Sequence, residues 1–169
     1  MVDRIWLKHY PAGIPAEIDA DHFSSIPDLL EKIVIKFADK PAYHNLGYTL
    51  SYAALERLSR DFATFLQGLP GMAKGERVAI MSPNLLQYPV ALFGILRAGM
   101  TVVNVNPLYT ARELEHQLKD SGAEAIFILE NFAHTLQEAL PHAPVKNVVV
   151  TSRGAERLGT RTPELIIQR

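Results

Sequence analysis

Six histidines, His9, His22, His44, His116, His134 and His142, are the side chains best suited to moving protons near neutral pH. No two of them stand at the four-residue spacing that puts a pair of imidazoles on one helix face beside a metal. His116 lies between Glu113 and Glu115 on one side and Lys119 on the other, a pattern that reads as a solvated helix face. With no Cys there is no thiolate nucleophile, disulfide framework or cysteine–zinc site. A serine hydrolase would need a Gly-x-Ser-x-Gly elbow, and none occurs. Two phosphate-binding loops fail the same test. Ser82-Pro83-Asn84 stands where a dinucleotide fold would place Gly-x-Gly-x-x-Gly, and Gly71-Met-Ala-Lys-Gly75 lacks the P-loop spacing. An acidic phosphoacceptor cluster is missing too. The residues alone therefore argue for no self-contained catalytic centre.

The elements that would position any site are easier to read. Residues 1–23 carry Pro11 and Pro15 and no periodic face, so they form an extended N-terminal arm. From Ser25, a plausible N-cap, Ile26, Leu29, Leu30, Ile33, Val34 and Phe37 recur at helical spacing, with Pro27 tolerated in the first turn and Pro41 closing the helix. Ala42–Asn45 and Tyr48–Ser51 form a hairpin about Leu46-Gly47. A second helix follows with Leu55, Leu58, Phe62, Phe65 and Leu66 on one face. Four β-rich segments then begin at Arg77, Thr101, Ala125 and Asn147, so successive starts are 24, 24 and 22 residues apart. Helical segments fill the gaps at 85–98, 110–121 and 131–140. That repeat is the length of a strand-plus-helix unit with short loops. Continuous apolar strands such as Ala125-Ile-Phe-Ile-Leu129 suit a parallel sheet covered on both faces. The expected fold is α/β, an open doubly wound and mostly parallel sheet with flanking helices. Strand order is not readable at this level.

Thr110-Ala-Arg-Glu113 is a capping box, with Tyr109 and Leu114 at the flanking staple positions. Asn106-Pro107 turns the chain into that helix, and Asn84 is placed to cap the helix after the first regular strand. Phe62, Phe65, Phe93 and Phe127 fall on core-type positions. Residues 152–169 lose the pattern and form an irregular tail, ending at Leu165-Ile-Ile-Gln-Arg169 with no evident partner.

Composition limits the remaining classes. The 169 residues are 48% apolar, which excludes a disordered chain. Lys+Arg 17 against Asp+Glu 18 leaves a net charge of -1, so no electrostatic footprint for nucleic acid exists. The longest apolar run, Pro89 to Leu96, is far short of the roughly 20 residues a membrane helix needs. Charges at Asp3, Arg4 and Lys8 fall where a secretion signal needs its apolar core, so no such leader is expected.

The run from Lys74 through Ser82-Pro-Asn-Leu-Leu-Gln-Tyr-Pro89 and Gly94-Ile-Leu-Arg-Ala-Gly99 to Asn104-Val-Asn-Pro-Leu-Tyr109 is not generic. It continues through Thr110-Ala-Arg-Glu-Leu-Glu-His-Gln-Leu-Lys-Asp-Ser-Gly122 and Asn131-Phe-Ala-His-Thr135, with Trp6-Leu-Lys-His-Tyr-Pro11 and Tyr48-Thr-Leu-Ser-Tyr52 upstream. Over about residues 4–151 the chain resembles the N-terminal part of long-chain fatty-acid–CoA ligases of the adenylate-forming superfamily, bacterial ones most closely. The resemblance implies that 24–151 is a partial AMP-binding domain, the first block of the large N-terminal domain. It implies ATP-dependent activation of a fatty acid to acyl-AMP, then thioester formation with CoA, with ATP, magnesium and CoA serving the full-length enzyme.

The family's Ser/Thr/Gly-rich phosphate loop ending in Pro-Lys-Gly is not in this sequence, nor are its later Thr-Glu, nucleotide-binding Asp and C-terminal-domain Lys. No catalytic or metal residue is therefore carried over. The chain alone is expected to be inactive and to hold none of the three cofactors tightly. Asn104, Asn106, Pro107 and Leu108 are the nearest candidates for ligand contact, because the matching loop in relatives lies close to the CoA pantetheine tunnel. Partners implied are fatty acid and CoA, and no nucleic acid. The resemblance leaves room for peripheral membrane contact at the inner face of the cell membrane, for a cytoplasmic location, and for a homodimer through the arm. The rival expectation is a standalone, non-catalytic α/β binding or interaction module derived from such an enzyme.

Overall fold

Alternate residues of the central strands leave for opposite sides of one sheet, and each side has its own core. On the first strand of the sheet Val78 and Ile80 join one buried cluster, while Ala79 and Met81 join the other. Ala125 and Phe127 against Ile126 and Ile128 repeat the split on the strand beside it. All of these are essentially solvent-free, as a parallel sheet covered on both faces requires.

The computed structural model describes residues 3–152 and the backbone of 166–168. Its elements run α1 (Ile26–Phe37), β1 (Pro41–Asn45), β2 (Tyr48–Ser51), α2 (Tyr52–Gln67), β3 (Arg77–Met81), α3 (Gln87–Arg97), β4 (Thr101–Asn104), α4 (Ala111–Ser121), β5 (Ala125–Leu129), α5 (Ala133–Ala139), β6 (Asn147–Thr151) and β7 (Ile166–Gln168). Strands order as β4-β3-β5-β6-β7, the first four parallel and β7 antiparallel on β6. The α1–α2–α3 layer covers one face, through Leu30, Leu55, Phe62, Leu66 and Ile95. The α4–α5 layer covers the other, through Leu114, Leu118, Leu136 and Ala139. This is the expected doubly wound sheet.

Local signals explain the element ends. Ser25 Oγ accepts from the Asp28 amide at 3.1 Å and Pro27 sits in the first turn, so α1 starts as its sequence dictates. It ends at Phe37, and Pro41 opens β1 rather than closing the helix. The β1–β2 hairpin pairs Asn45 with Tyr48 across Leu46 (φ 49°) and Gly47 (φ 84°). Two successive positive φ values match a turn whose twist follows that of the strands. At α4 the box is complete. Thr110 Oγ1 accepts from the Glu113 amide at 3.4 Å, Glu113 Oε2 accepts from the Thr110 amide at 2.8 Å, and Gly122 ends the helix at φ 63°. Both Tyr109 and Leu114 pack in the α4–α5 core.

Three expectations are corrected. α3 begins at Gln87, not Leu85, because the Leu85 amide is held in a turn, donating a hydrogen bond to Pro83 O (2.8 Å). Residues Glu130–Phe132 form a short 3-10 turn, so α5 starts only at Ala133. The closing Ile166–Gln168 has a partner after all, pairing with Val148–Val150 of β6. The rest of the expected irregular tail, 153–165 and 169, lies outside the described residues.

Arm residues 3–22 contribute nothing to either core. Ile5–His9 make one 3-10 turn, Arg4 pairs with Glu17, and every residue but Leu7 is exposed.

Candidate functional site at the carboxyl end of the sheet

The chain leaves β3 toward β4 at one edge, then crosses to β5 on the other side of β3. Such a reversal opens a crevice at the carboxyl ends of the strands, between β3 and β5, where open α/β sheets bind ligands. The loops there are Ser82–Leu86 after β3, Val105–Tyr109 after β4 and Glu130–Phe132 after β5, with Ser152 after β6.

Consecutive residues in the first turn of α3 reach opposite edges of this end. Tyr88 Oη donates to Asn104 Oδ1 (2.8 Å) at the end of β4, and Gln87 Nε2 donates to Ser152 O (3.1 Å) beyond β6. Gln87 is buried, and its Oε1, like Thr151 Oγ1, is solvent-free and without a hydrogen-bond partner among the described residues. Leaving a buried polar atom unpaired costs about 1–3 kcal/mol. This end of the sheet thus holds polar capacity that the described residues do not use.

The loop after β4 carries the sequence candidates. Asn104 O accepts from Gln117 Nε2 of α4 at 2.8 Å. Val105 is buried and continues the ladder to Ile80 O, so the loop proper begins at Asn106. Asn106 Oδ1 accepts from the Leu108 amide (3.0 Å), and Asn106 O from the Tyr109 amide (3.2 Å). Asn106, Pro107 and Leu108 therefore share one braced turn, with Leu108 projecting at 82% exposure. Asn84 does not cap α3. Among the described residues no side chain caps that helix, and Asn84 O instead accepts from Asn45 Nδ2 of the hairpin at 2.8 Å. Ser82 is buried and its Oγ donates to Pro83 O.

Electrostatics at this end are mild. The Tyr43 hydroxyl on β1 is pushed above the ordinary phenol value by burial, with Tyr52 and Tyr88 nearby adding to the rise. Glu113 is held below the ordinary carboxylate value by the Thr110 amide and hydroxyl. All six histidines are exposed, and among the described residues only His44 (to Thr49 Oγ1, 2.8 Å) and His134 (to Thr135 Oγ1, 3.2 Å) make side-chain hydrogen bonds. Among the described residues no three of His, Cys, Asp or Glu converge. What the arrangement can do is orient amide and hydroxyl groups toward a polar ligand. A wide cleft lined by Phe65, Leu69, Pro70 and Lys146 lies at the opposite, amino-terminal end of β6 and shares no residue with these loops. Tyr88, Gln87 and Gln117 on helices and Asn45 at the end of β1 escaped the sequence reading, because a single polar side chain gives no periodic signal.

A family model described as AMP-binding enzyme matches residues 30–165, and the chain belongs to that family. It is 56% identical over 153 residues to a long-chain-fatty-acid–CoA ligase of Yersinia pestis, which covers 90% of this chain and 27% of that protein. Identity to the ligase of the same description in Escherichia coli O157:H7 is 54% over 163 residues, 96% of this chain and 29% of that one. The chain thus spans little more than a quarter of these relatives, matching their N-terminal part. Among solved structures, an anthranilate CoA ligase in complex with anthranoyl-AMP superposes with a TM-score of 0.72 at 22% identity, over 76% of this chain and 25% of that one; it supports the fold alone. A long-chain-fatty-acid–CoA ligase from Archaeoglobus fulgidus gives 0.68 at 25% identity, over 75% of this chain and 27% of that one. No helix among the described residues is long and apolar enough to cross a membrane.

Proposed function

We propose that this chain is the first sheet-and-helix block of a long-chain fatty-acid–CoA ligase. The single observation behind the reading is 54–56% identity to curated ligases of that description over 90–96% of the chain. A carboxylate is a poor electrophile, and ATP supplies the remedy by converting one carboxylate oxygen into part of an AMP leaving group, after which the CoA thiol takes the acyl group. Neither reacting centre lies on residues of this block. Its part is to build the wall on which the rest of the domain assembles and to present the Asn104–Leu108 loop on the thioester side, with Asn106, Pro107 and Leu108 as CoA-side contacts. Division into an arm at 1–23, a partial AMP-binding domain at 24–151 and a tail at 152–169 belongs to the same reading. So do a cytoplasmic setting, peripheral contact with a membrane, and pairing of two copies through the arm. Magnesium would serve the adenylation step elsewhere in the protein.

The test is fatty-acid-dependent ATP–pyrophosphate exchange by the purified chain beside the Escherichia coli relative. The expected result is exchange by the relative and none by the chain, since stabilising a transferring adenylyl group needs preorganised donors and a metal at the developing charge. Exchange by the chain above background, after rigorous removal of any full-length ligase, would overturn the division of labour.

A further inference from the structure

We propose that Gln87 and Thr151 form an internal binding site for a single water, which bridges the first turn of α3 to the end of β6. Gln87 is 7% exposed and Thr151 1%, so bulk solvent does not reach them. Gln87 Oε1 and Thr151 Oγ1 are both without a hydrogen-bond partner among the described residues, so neither is bonded to the other. Strand alternation places them on one side of the sheet. Val149 belongs to the buried cluster beneath α1–α3, and Thr151, two residues further along β6, points the same way. Gln87 reaches in from α3 on that side, and its Nε2 donates to the carbonyl of Ser152, the residue after Thr151. The two unpaired oxygens therefore lie at the same corner of the sheet.

The direction of the Gln87 carboxamide follows from its partner. A main-chain carbonyl accepts only from the NH2 end, which leaves Oε1 as the free end. Asn45 and Gln117 repeat the arrangement. Each gives its NH2 group to a main-chain carbonyl, of Asn84 and of Asn104, and each keeps a solvent-free oxygen without a partner among the described residues. At Gln87 a second such atom, from another element, stands beside the first.

The chemistry of the pair selects its occupant. Oε1 can only accept, whereas the Thr151 hydroxyl can both give a proton and accept one. No charged side chain stands in 82–90 or 147–152, and the register partner of Thr151 is the buried, apolar Leu129. An ion would be buried there without compensation, at a large cost. A water donates to Oε1 and accepts from the Thr151 hydroxyl, as buried waters serve otherwise unsatisfied groups with about three hydrogen bonds each. The bridge completes a tie across the crevice. Tyr88 holds Asn104 at the end of β4, and its neighbour Gln87, with the water, holds the end of β6.

The experiment counts long-lived internal waters by oxygen-17 magnetic relaxation dispersion on the purified chain. Thr151→Val keeps the shape and removes the hydroxyl, whereas Thr151→Ser keeps the hydroxyl and removes the methyl. Wild type and Thr151→Ser should give the same count, and Thr151→Val a count lower by one. Equal counts in wild type and Thr151→Val, or no internal water in the wild type, would overturn the proposal. A crystal structure of the wild type decides the matter even if Thr151→Val fails to fold. The expected result is a water within about 2.6–3.2 Å of both Gln87 Oε1 and Thr151 Oγ1. A protein donor on Gln87 Oε1, or no water between the two atoms, would overturn it.

Discussion

Gly94 of α3 lies so close to Phe62 of α2 that a Cβ at position 94 would come within 2.7 Å of the ring Cδ1 and 3.0 Å of Ser59 O. The two helices meet through a glycine because no larger residue fits. Phe62 in turn packs edge-on against Phe127 of β5 with ring centroids 5.6 Å apart, so this contact joins both helices to the sheet. Gly94→Ala should therefore destabilise the chain despite its better helix propensity, by about 1–3 kcal/mol, the usual cost of overpacking. Chemical denaturation checks it. An unchanged or raised midpoint would mean that the helices can separate without loss.

The opposite sign is expected at Leu46. It adopts φ 49° in the hairpin turn, is 60% exposed, and is followed by Gly47 at φ 84°. A branched apolar residue is ill suited to that conformation, whereas Asn-Gly is the favoured pair for such turns. Leu46→Asn should stabilise by up to about 1 kcal/mol, part of the left-handed penalty an ordinary side chain carries. Thermal melts of the two proteins under one buffer decide the matter, and a lower melting temperature for the variant would contradict it.

The cap on α4 should show as a pH effect. Glu113 is depressed in the folded chain by the Thr110 amide first and the Thr110 hydroxyl second. Its contribution is thus present above the unfolded carboxylate value, about 4.3, and is lost as pH falls through the lower folded value. Glu113→Gln should be less stable than wild type at pH 7, with the gap closing as the solution is acidified. Thr110→Ala removes the cap itself and should cost about 0.5–2 kcal/mol at neutral pH. A gap between Glu113→Gln and wild type that does not change with pH would rule out the carboxylate as its source.

How far the fold could be read beforehand depended on the range of the interaction concerned. The 24, 24 and 22-residue spacing of strand starts carried the doubly wound sheet, because each strand and helix advertises its own period. Ser25 and the Thr110–Glu113 box were legible for the same reason, since a cap is a contact across three residues. Strand order and β7 were not. Pairing of Val148 with Gln168 or of Val78 with Ala125 joins residues whose own sequence neighbourhoods do not name the partner. The Asn106–Leu108 turn is legible only through the family resemblance, and the Tyr88 hydrogen bond to Asn104, two residues before that turn, spans sixteen residues and two elements. Asn84 misled because a cap-type residue after a strand reads as a helix start, whereas a hairpin from 39 residues upstream takes its carbonyl.

The arm supplies a prediction about assembly. Ile5, Trp6, Tyr10, Ile14 and Ile18 are all exposed, and large apolar side chains gathered on one exposed segment favour association. The chain is expected to associate as its concentration rises. Trp6 is the only tryptophan, so its emission should move to shorter wavelength as association covers it. Sedimentation and fluorescence across a concentration series provide the check. A monomer at every concentration, with unshifted emission, would contradict a role for the arm between copies.

The most direct measurement of the central claim is a chimera. Residues 1–169 replace the matching segment of the Escherichia coli relative, to which they are 54% identical over 163 residues. The two half-reactions, fatty-acid-dependent ATP–pyrophosphate exchange and acyl-CoA formation, are then assayed separately. If this chain is the first block of a long-chain fatty-acid–CoA ligase, both should proceed within about ten-fold of the parent, a barrier change of roughly 1.4 kcal/mol. A chimera that folds and melts like the parent yet supports neither reaction would contradict the claim.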